Sequence, residues 1–148
     1  MREGRGIRRD RVIRAVIDTN VLVSGLLSPA GNEALLLLAI HQGLVRPCLS
    51  DGILDEYARV LARPRFAFTQ DEITALVAML RERGELFQLQ GAPATSPDPA
   101  DTKFLQCAAA AQAEFLVTGN KRNFPHSPYG PTRVVNAGEL LDRITLAI

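Results

Sequence analysis

The sequence contains no apolar run long enough to cross a membrane. A transmembrane helix needs about 20 consecutive apolar residues, and no segment of the 148-residue chain approaches that length. The opening residues, MREGRGI, are basic and lack the apolar core of a secretory signal peptide. These absences predict a cytoplasmic protein that makes no contact with a membrane.

Cysteine is also scarce, and its placement argues against a metal or disulfide framework. Cys48 and Cys107 lie far apart within apolar segments and lack the paired spacing of metal ligands. We interpret both as buried thiols of a cytosolic protein, with a disulfide between them as the alternative. Internal repeats and low-complexity stretches are absent too. With 47% apolar and 22% charged residues, the composition is that of a single globular domain.

Positive charge is concentrated at the start of the chain. Residues 1–14 contain six arginines and two acids, a balance of +4, so the net charge of +1 leaves −3 for the rest. We interpret residues 1–13 as a basic, flexible arm and residues 14–148 as the single domain. Such an arm is suited to nucleic acid phosphates. The simpler interpretations are a disordered leader or a start codon placed too early.

Short apolar strand patterns alternate with helix patterns along nearly the whole chain. Strands are predicted over residues 12–17, 44–49, 85–90, 115–118 and 132–135. Helices are predicted over residues 21–27, 33–41, 51–62, 70–83 and 99–112, and after Asn136 at the C-terminal end, with Asn32 and Asp98 as N-caps and a loop at 91–97. This alternation is typical of an α/β layered domain built around a parallel sheet.

An acid stands at the carboxyl end of the first predicted strand. Asp18 ends an apolar run and is followed at once by Thr19 and Asn20. A carboxylate in that position loses hydration unless it meets a cation or hydrogen-bond donors. Ligand crevices in open parallel sheets also form outside the carboxyl ends of the strands. A ligand site around Asp18 is therefore predicted.

Helix geometry brings two further acids toward the same edge. Advancing 100° per residue places Glu56 at the border of an apolar helix face and turns Asp55 toward solvent. The same construction puts Asp101 in the first turn of a helix, on its buried face. The structural alternatives are a Glu56 paired with Arg59 or Arg63, and an Asp101 favoured only by the helix dipole.

Three acids at one edge predict a metal site. We expect the side-chain oxygens of Asp18, Glu56 and Asp101 to converge on a common point, because hard cations such as Mg²⁺ take oxygen ligands. Beside a phosphodiester, such a cation orients water and stabilises developing charge. Thr118 and Asn120 follow another predicted strand at this edge, and Asn120 is either a turn residue or a neutral oxygen ligand.

The same segments resemble the successive motifs of PIN domains. The motifs are VIDTNVLVS at 16–24, EYARVL at 56–61, DPADTKFL at 98–105 and LVTGNK at 116–121. The resemblance is closest to the branch of toxin components of bacterial toxin–antitoxin systems, the VapC-like ribonucleases, and it extends from about Arg14 to the C-terminus.

This resemblance implies a three-layer α/β/α sandwich with a mainly parallel sheet and an endoribonuclease that uses Mg²⁺ or Mn²⁺. It also implies an RNA substrate, a small antitoxin protein as partner, and a homodimer as a further possibility. The family's three acids correspond to Asp18, Glu56 and Asp101, supported by Asn20 and Thr118. The family's fourth acid is replaced by Asn120, which removes one negative charge and disfavours a second metal.

Two other functions remain open at this stage. A catalytically weak or inactive module that binds RNA or a partner protein is compatible with Asn120. A phosphatase with Asp18 as nucleophile would need a second aspartate where this chain has Asn20. Three cations flank the acids and are candidates to bind RNA phosphates, or else are solvated surface charges: Lys103, Lys121 and Arg122.

Overall fold

A single parallel sheet organises the chain. The structure, a computed structural model, describes residues 11–89 and 99–147. In these residues five strands pair in the order β3-β2-β1-β4-β5. The strands are β1 Ile13–Ile17, β2 Val45–Leu49, β3 Glu85–Leu86, β4 Phe115–Val117 and β5 Arg133–Val135. The α-helices are α1 Thr19–Leu27, α2 Asn32–His41, α3 Asp51–Leu61, α4 Gln70–Arg83, α5 Thr102–Ala111 and α6 Ala137–Ala147, and short 3₁₀ turns lie at Pro64–Phe66, Pro99–Asp101 and Lys121–Asn123.

The predicted three-layer α/β/α fold is confirmed, and the differences are local. β3 contains two residues instead of the predicted six, and Gly31 takes the N-cap position predicted for Asn32. The helix predicted from residue 99 begins as the 3₁₀ turn Pro99–Asp101 and becomes α-helical only at Thr102. The predicted N-cap Asp98 and the loop at 91–97 lie outside the described residues.

The predicted N-terminal arm is described only at its end. Residues 1–10 lie outside the described part of the chain. Ile13, the last residue assigned to the arm, is buried and pairs with Val45 as the first residue of β1.

The register of the central strands brings their carboxyl ends level. Ile17 at the end of β1 pairs with Val117 at the end of β4, which pairs in turn with Val135 of β5. The parallel ladder continues one residue further, since the Asp18 amide donates to the Val117 carbonyl at 2.9 Å. Asp18 and Thr118 are therefore neighbours just beyond the carboxyl ends of β1 and β4. Ligand crevices in parallel sheets form at this edge.

Helix α3 buries one face and exposes the other, as its sequence predicts. The Ser50 hydroxyl caps it by accepting the Ile53 amide at 3.3 Å. Glu56 is 9% exposed, whereas Asp55 is exposed. The predicted orientation of the two acids is confirmed.

Helix α5 lies close to the sheet through small and apolar residues. Phe104, Leu105 and Ala108 are buried, and the helix contacts β1, β2, β4 and α3. Asp101 directly precedes this helix and is 9% exposed, as its predicted place on the buried face requires. The packing of α5 thus brings Asp101 toward the carboxyl edge of the sheet.

Both cysteines are buried free thiols, so the predicted alternative of a disulfide is not formed. Burial raises the pKa of Cys48 to about 11 and the pKa of Cys107 to about 12. The thiols therefore stay protonated at neutral pH and act as small apolar side chains.

None of the described helices is by itself long and apolar enough to cross a membrane. Helices α1 and α2 together, bent by 103° relative to each other, meet that criterion by length and composition only.

A hydrogen bond from Tyr57 connects α3 to the central strand, β1. Its side chain is completely buried, and its hydroxyl donates to the Ile17 carbonyl at 2.5 Å. Burial raises the pKa of Tyr57 well above its ordinary value, so the phenol remains a hydrogen-bond donor. Because Ile17 precedes Asp18 and Tyr57 follows Glu56, this bond fixes the spacing between two of the predicted site acids.

Replacing Tyr57 by phenylalanine removes the donor and leaves the packing in place. We expect the free energy of unfolding to fall by about 1–2 kcal/mol, since a buried carbonyl loses its partner. Urea denaturation measures the change. The matched control is Tyr129→Phe, since the Tyr129 hydroxyl accepts an exposed amide, that of His126, at 3.0 Å. The control should stay within about 0.5 kcal/mol of the parent, and equal losses in both variants would contradict this role of Tyr57.

Candidate active site

A polar pocket opens at the carboxyl edge of the sheet. It has a volume of about 240 Å³ and is lined by Asp18, Asn20, Glu56, Arg59, Val60, Arg63, Ala100 and Asp101. The three predicted acids reach it from three different segments: the end of β1, the middle of α3 and the turn before α5. Residues up to 83 positions apart in sequence thus share one pocket.

Asp18 is the most deeply buried of these acids, with 3% of its surface exposed. The Thr118 hydroxyl donates to its Oδ2 at 2.7 Å. The pKa of Asp18 is raised, chiefly because burial removes hydration from the carboxylate and also because the charge of Glu56 repels it. The Thr118 hydrogen bond and the backbone of Thr19 and Asn20 favour the ionised form but do not offset the burial.

Thr118 connects Asp18 to the turn that follows β4. Thr118 is completely buried and accepts the Asn120 amide at 3.0 Å. The Asn120 Oδ1 atom accepts the Arg122 amide at 3.3 Å and so caps the turn Lys121–Asn123. Asn120 is not among the residues that line the pocket. This placement favours the turn role that the sequence left open for Asn120, and we leave this residue out of the proposed metal ligands.

Glu56 is held by hydrogen bonds at both carboxylate oxygens. The Thr19 hydroxyl donates a short hydrogen bond to Oε2. The Lys103 Nζ atom lies 2.5 Å from Oε1, and the Arg59 Nη2 atom lies 3.8 Å from the same oxygen. The pairing with Arg59 that the sequence allowed is present, but the Lys103 ammonium is the closer cation.

Lys121 and Arg122, the other two cations predicted to bind phosphate, do not line this pocket. Lys121 pairs with Glu139 at 2.7 Å, and both side chains are about half exposed. The hydrogen bond from Lys121 lowers the pKa of Glu139. Arg122 is exposed. These positions agree with solvated surface charges, whereas Lys103 contacts a site acid directly.

Two residues of the site were not identified from the sequence: Arg63 lines the pocket, and Thr19 donates to Glu56 without lining the pocket itself. Thr19 lies between two predicted site residues, and its β-branched side chain gave no sign that it would reach α3. Glu56 and Arg59 are three residues apart on α3 and so lie on one side of the helix. Arg63 lies beyond the end of α3 in an extended conformation, so helical periodicity could not identify it.

The donors around the pocket suit a hard divalent cation, although they are not gathered at one point. Within residues 11–89 and 99–147, no three His, Cys, Asp or Glu side chains lie close enough together to hold a metal ion. The expected convergence on a common point is therefore wrong for this structure. The donor set still fits Mg²⁺ or Mn²⁺, because all three acids supply oxygen ligands and such cations keep several waters between themselves and the protein.

The family model described as PIN domain matches residues 14–122. The match covers about three quarters of the chain, from β1 to the turn after β4, and includes every residue that lines the pocket. A search of curated proteins finds no match to the chain.

The raised pKa of Asp18 predicts that its charge destabilises the metal-free fold. Folding penalises the ionised form, so the penalty is absent at a pH below the unfolded-state pKa, grows as the pH rises toward the folded-state pKa, and is constant above it. Asp18→Asn keeps an acceptor for Thr118 without the charge. We expect its melting temperature in metal-free buffer to exceed that of the parent at pH 7 and the difference to vanish near pH 3. Asp55→Asn, on the exposed face of α3, serves as control, and an Asp18→Asn variant less stable at every pH would refute the interpretation.

Proposed function

The chain belongs to the PIN domain family, whose members are typically metal-dependent nucleases, and on that premise we propose that it is an endoribonuclease dependent on Mg²⁺ or Mn²⁺. The observation that supports the proposal is the composition of one pocket. Its wall combines three carboxylates with Arg59 and Arg63, so ligands for a cation lie beside partners for an anionic substrate.

Two of the three acids are each held by a threonine hydroxyl of the fold. Asp18, Glu56 and Asp101 would hold the cation through carboxylate oxygens. When bound, the cation stabilises charge on the phosphodiester and orients the attacking water. Thr118 fixes Asp18, and Thr19 fixes Glu56 from the first residue of α1.

The two arginines of the pocket are the proposed contacts for the RNA backbone. Arg59 lies on α3 and Arg63 lies just beyond the end of that helix, and both are exposed and line the acid pocket. A guanidinium is suited to phosphate, since it donates two parallel hydrogen bonds. Phosphates on either side of the reacting bond would therefore bind near the C-terminal end of α3, while the bond itself would lie above the acids.

We further propose that the enzyme is the toxin of a bacterial toxin–antitoxin pair, acting in the cytoplasm under the control of a small antitoxin protein. The support is the resemblance of its four motifs to that branch of the family. Leucines exposed by about half of their surface provide apolar area for the antitoxin or for a homodimer: Leu27 on α1, and Leu35 and Leu38 on α2.

A catalytically weak or inactive module that binds RNA or a partner protein is the second candidate. It is favoured by the hydrogen bonds that engage both oxygens of Glu56 and by Asn120 in place of the family's fourth acid. The affinity of the purified protein for Mn²⁺ separates the two candidates, since a non-catalytic module has no need of the cation.

Cleavage of RNA tests the proposed enzyme. We expect Asp18→Asn and Glu56→Gln each to lower the rate of cleavage in Mg²⁺ by about 100-fold or more, because each replaces a charged carboxylate of the proposed cation site by a neutral amide. The matched control is Asp55→Asn, which removes a neighbouring acid from the solvent face of α3 and should cleave like the parent. Circular dichroism of each sample shows that the fold is intact. Undiminished cleavage by Asp18→Asn would refute the assignment.

Binding of RNA without cleavage tests the two arginines. The double variant Arg59→Gln/Arg63→Gln should bind a single-stranded RNA more weakly in the absence of divalent cations. Its plot of log affinity against log salt should be shallower by about 1.4, which corresponds to two lost phosphate contacts. The control, Arg81→Gln/Arg83→Gln, removes the same charge from the end of α4. Equal losses in both double variants would indicate only a general effect of net charge.

A further inference from the structure

An ammonium group of the chain itself occupies one of the proposed metal ligands. The Lys103 Nζ atom contacts Glu56 Oε1 at 2.5 Å, and the two side chains are only 27% and 11% exposed. Lys103 lies in the first turn of α5, two residues after Asp101, and Glu56 lies on α3. The ion pair therefore bridges two of the segments that carry the site acids.

The identity of this cation matters because lysine is rare in the chain. Of the 17 basic residues, only Lys103 and Lys121 are lysines, and the other 15 are arginines. A guanidinium binds a carboxylate through two parallel hydrogen bonds, whereas an ammonium is a compact point charge on a flexible stem. Here, among the described residues, the Lys103 ammonium contacts Glu56 Oε1, and Oε2 accepts from the Thr19 hydroxyl.

A divalent cation bound through Glu56 Oε1 would compete with the Lys103 ammonium for that oxygen. The three acids, when ionised, contribute a charge of −3 to a pocket that also holds Arg59 and Arg63, and Lys103 lies closer to Glu56 Oε1 than Arg59 does. A metal ion that binds Glu56 Oε1 meets a positive charge already in contact with that atom. Repulsion between like charges at such separations in a partly desolvated pocket therefore disfavours occupation of that oxygen by both cations at once.

We propose that Lys103 is a tethered counter-cation that occupies Glu56 in the metal-free protein and leaves it when a divalent cation binds. This inference rests on the proposed function, since it requires a metal site at the three acids. Metal binding and the departure of Lys103 are then a single coupled event. The released ammonium stays beside the acids on its four-carbon side chain, where it can form an ion pair with an RNA phosphate. RNA and metal therefore favour each other's binding, because the phosphate holds the ammonium away from Glu56.

Metal affinity in the absence of RNA tests the competition. We expect Lys103→Met, which keeps the length of the side chain and removes its charge, to bind Mn²⁺ about tenfold more tightly than the parent. Lys121→Met is the matched control, since it also breaks a lysine–glutamate ion pair, and its Mn²⁺ affinity should equal that of the parent. Titration calorimetry gives the affinities, and thermal denaturation shows that each variant is folded.

A second measurement uses the unaltered protein and so does not depend on how the variants fold. Protein labelled with [ε-¹³C]lysine has only two side-chain methylene signals, from Lys103 and Lys121. The Lys103 signal should move as Mg²⁺ is added and reach a plateau at the concentration that saturates the site. The Lys121 signal should stay in place.

The outcomes separate this inference from the function on which it rests. Tighter binding by Lys103→Met, or movement of the Lys103 signal alone, supports the tethered counter-cation. If the parent binds Mn²⁺ with an affinity that Asp18→Asn abolishes and Lys103→Met leaves unchanged, and the Lys103 signal stays fixed, the inference is wrong and the metal site stands. If neither the parent nor Lys103→Met binds a divalent cation, both the inference and the metal-dependent function are overturned.

Discussion

Like-charged carboxylates brought out of water at the end of a parallel sheet are the constraint on which this structure depends. Asp18 and Glu56 are buried and close enough for the charge of Glu56 to raise the pKa of Asp18. Removing a charge from water is unfavourable, and a second charge of the same sign adds repulsion. The contacts around the pocket offset this unfavourable free energy by supplying hydrogen bonds and a positive charge to the carboxylates.

Asp18 and Glu56 are stabilised by different partners. Asp18 has the Thr118 hydroxyl, which is itself oriented by the Asn120 amide. Glu56 has the Thr19 hydroxyl and the Lys103 ammonium. Thr118 directly follows β4, and Thr19 follows Asp18 as the first residue of α1, so the chain just beyond the strand ends supplies both hydroxyls. The backbone beyond the sheet is thereby as important to the site as the acids themselves.

Much of this arrangement could be predicted from sequence, because it depends on local periodicity. Asp18 is marked by its place at the end of an apolar strand, and the orientations of Glu56 and Asp55 follow from the angle between successive residues of one helix. The contacts between elements could not be predicted in the same way. Lys103 meets Glu56 across 47 positions, and the distance between them is set by how closely α5 and α3 approach the sheet. Asn120 was open to two interpretations for the same reason, since the direction of one side chain at a turn depends on whether a backbone amide is within reach.

The hydrogen bond between Thr118 and Asp18 joins residues 100 positions apart. It requires β4 to lie beside β1, and β4 is synthesised long after β1. A nascent chain that stops before residue 103 also lacks the lysine that contacts Glu56. The acids of the first half of the protein are therefore made well before the groups that hold them in place, so the pocket cannot assemble from the first half of the chain alone.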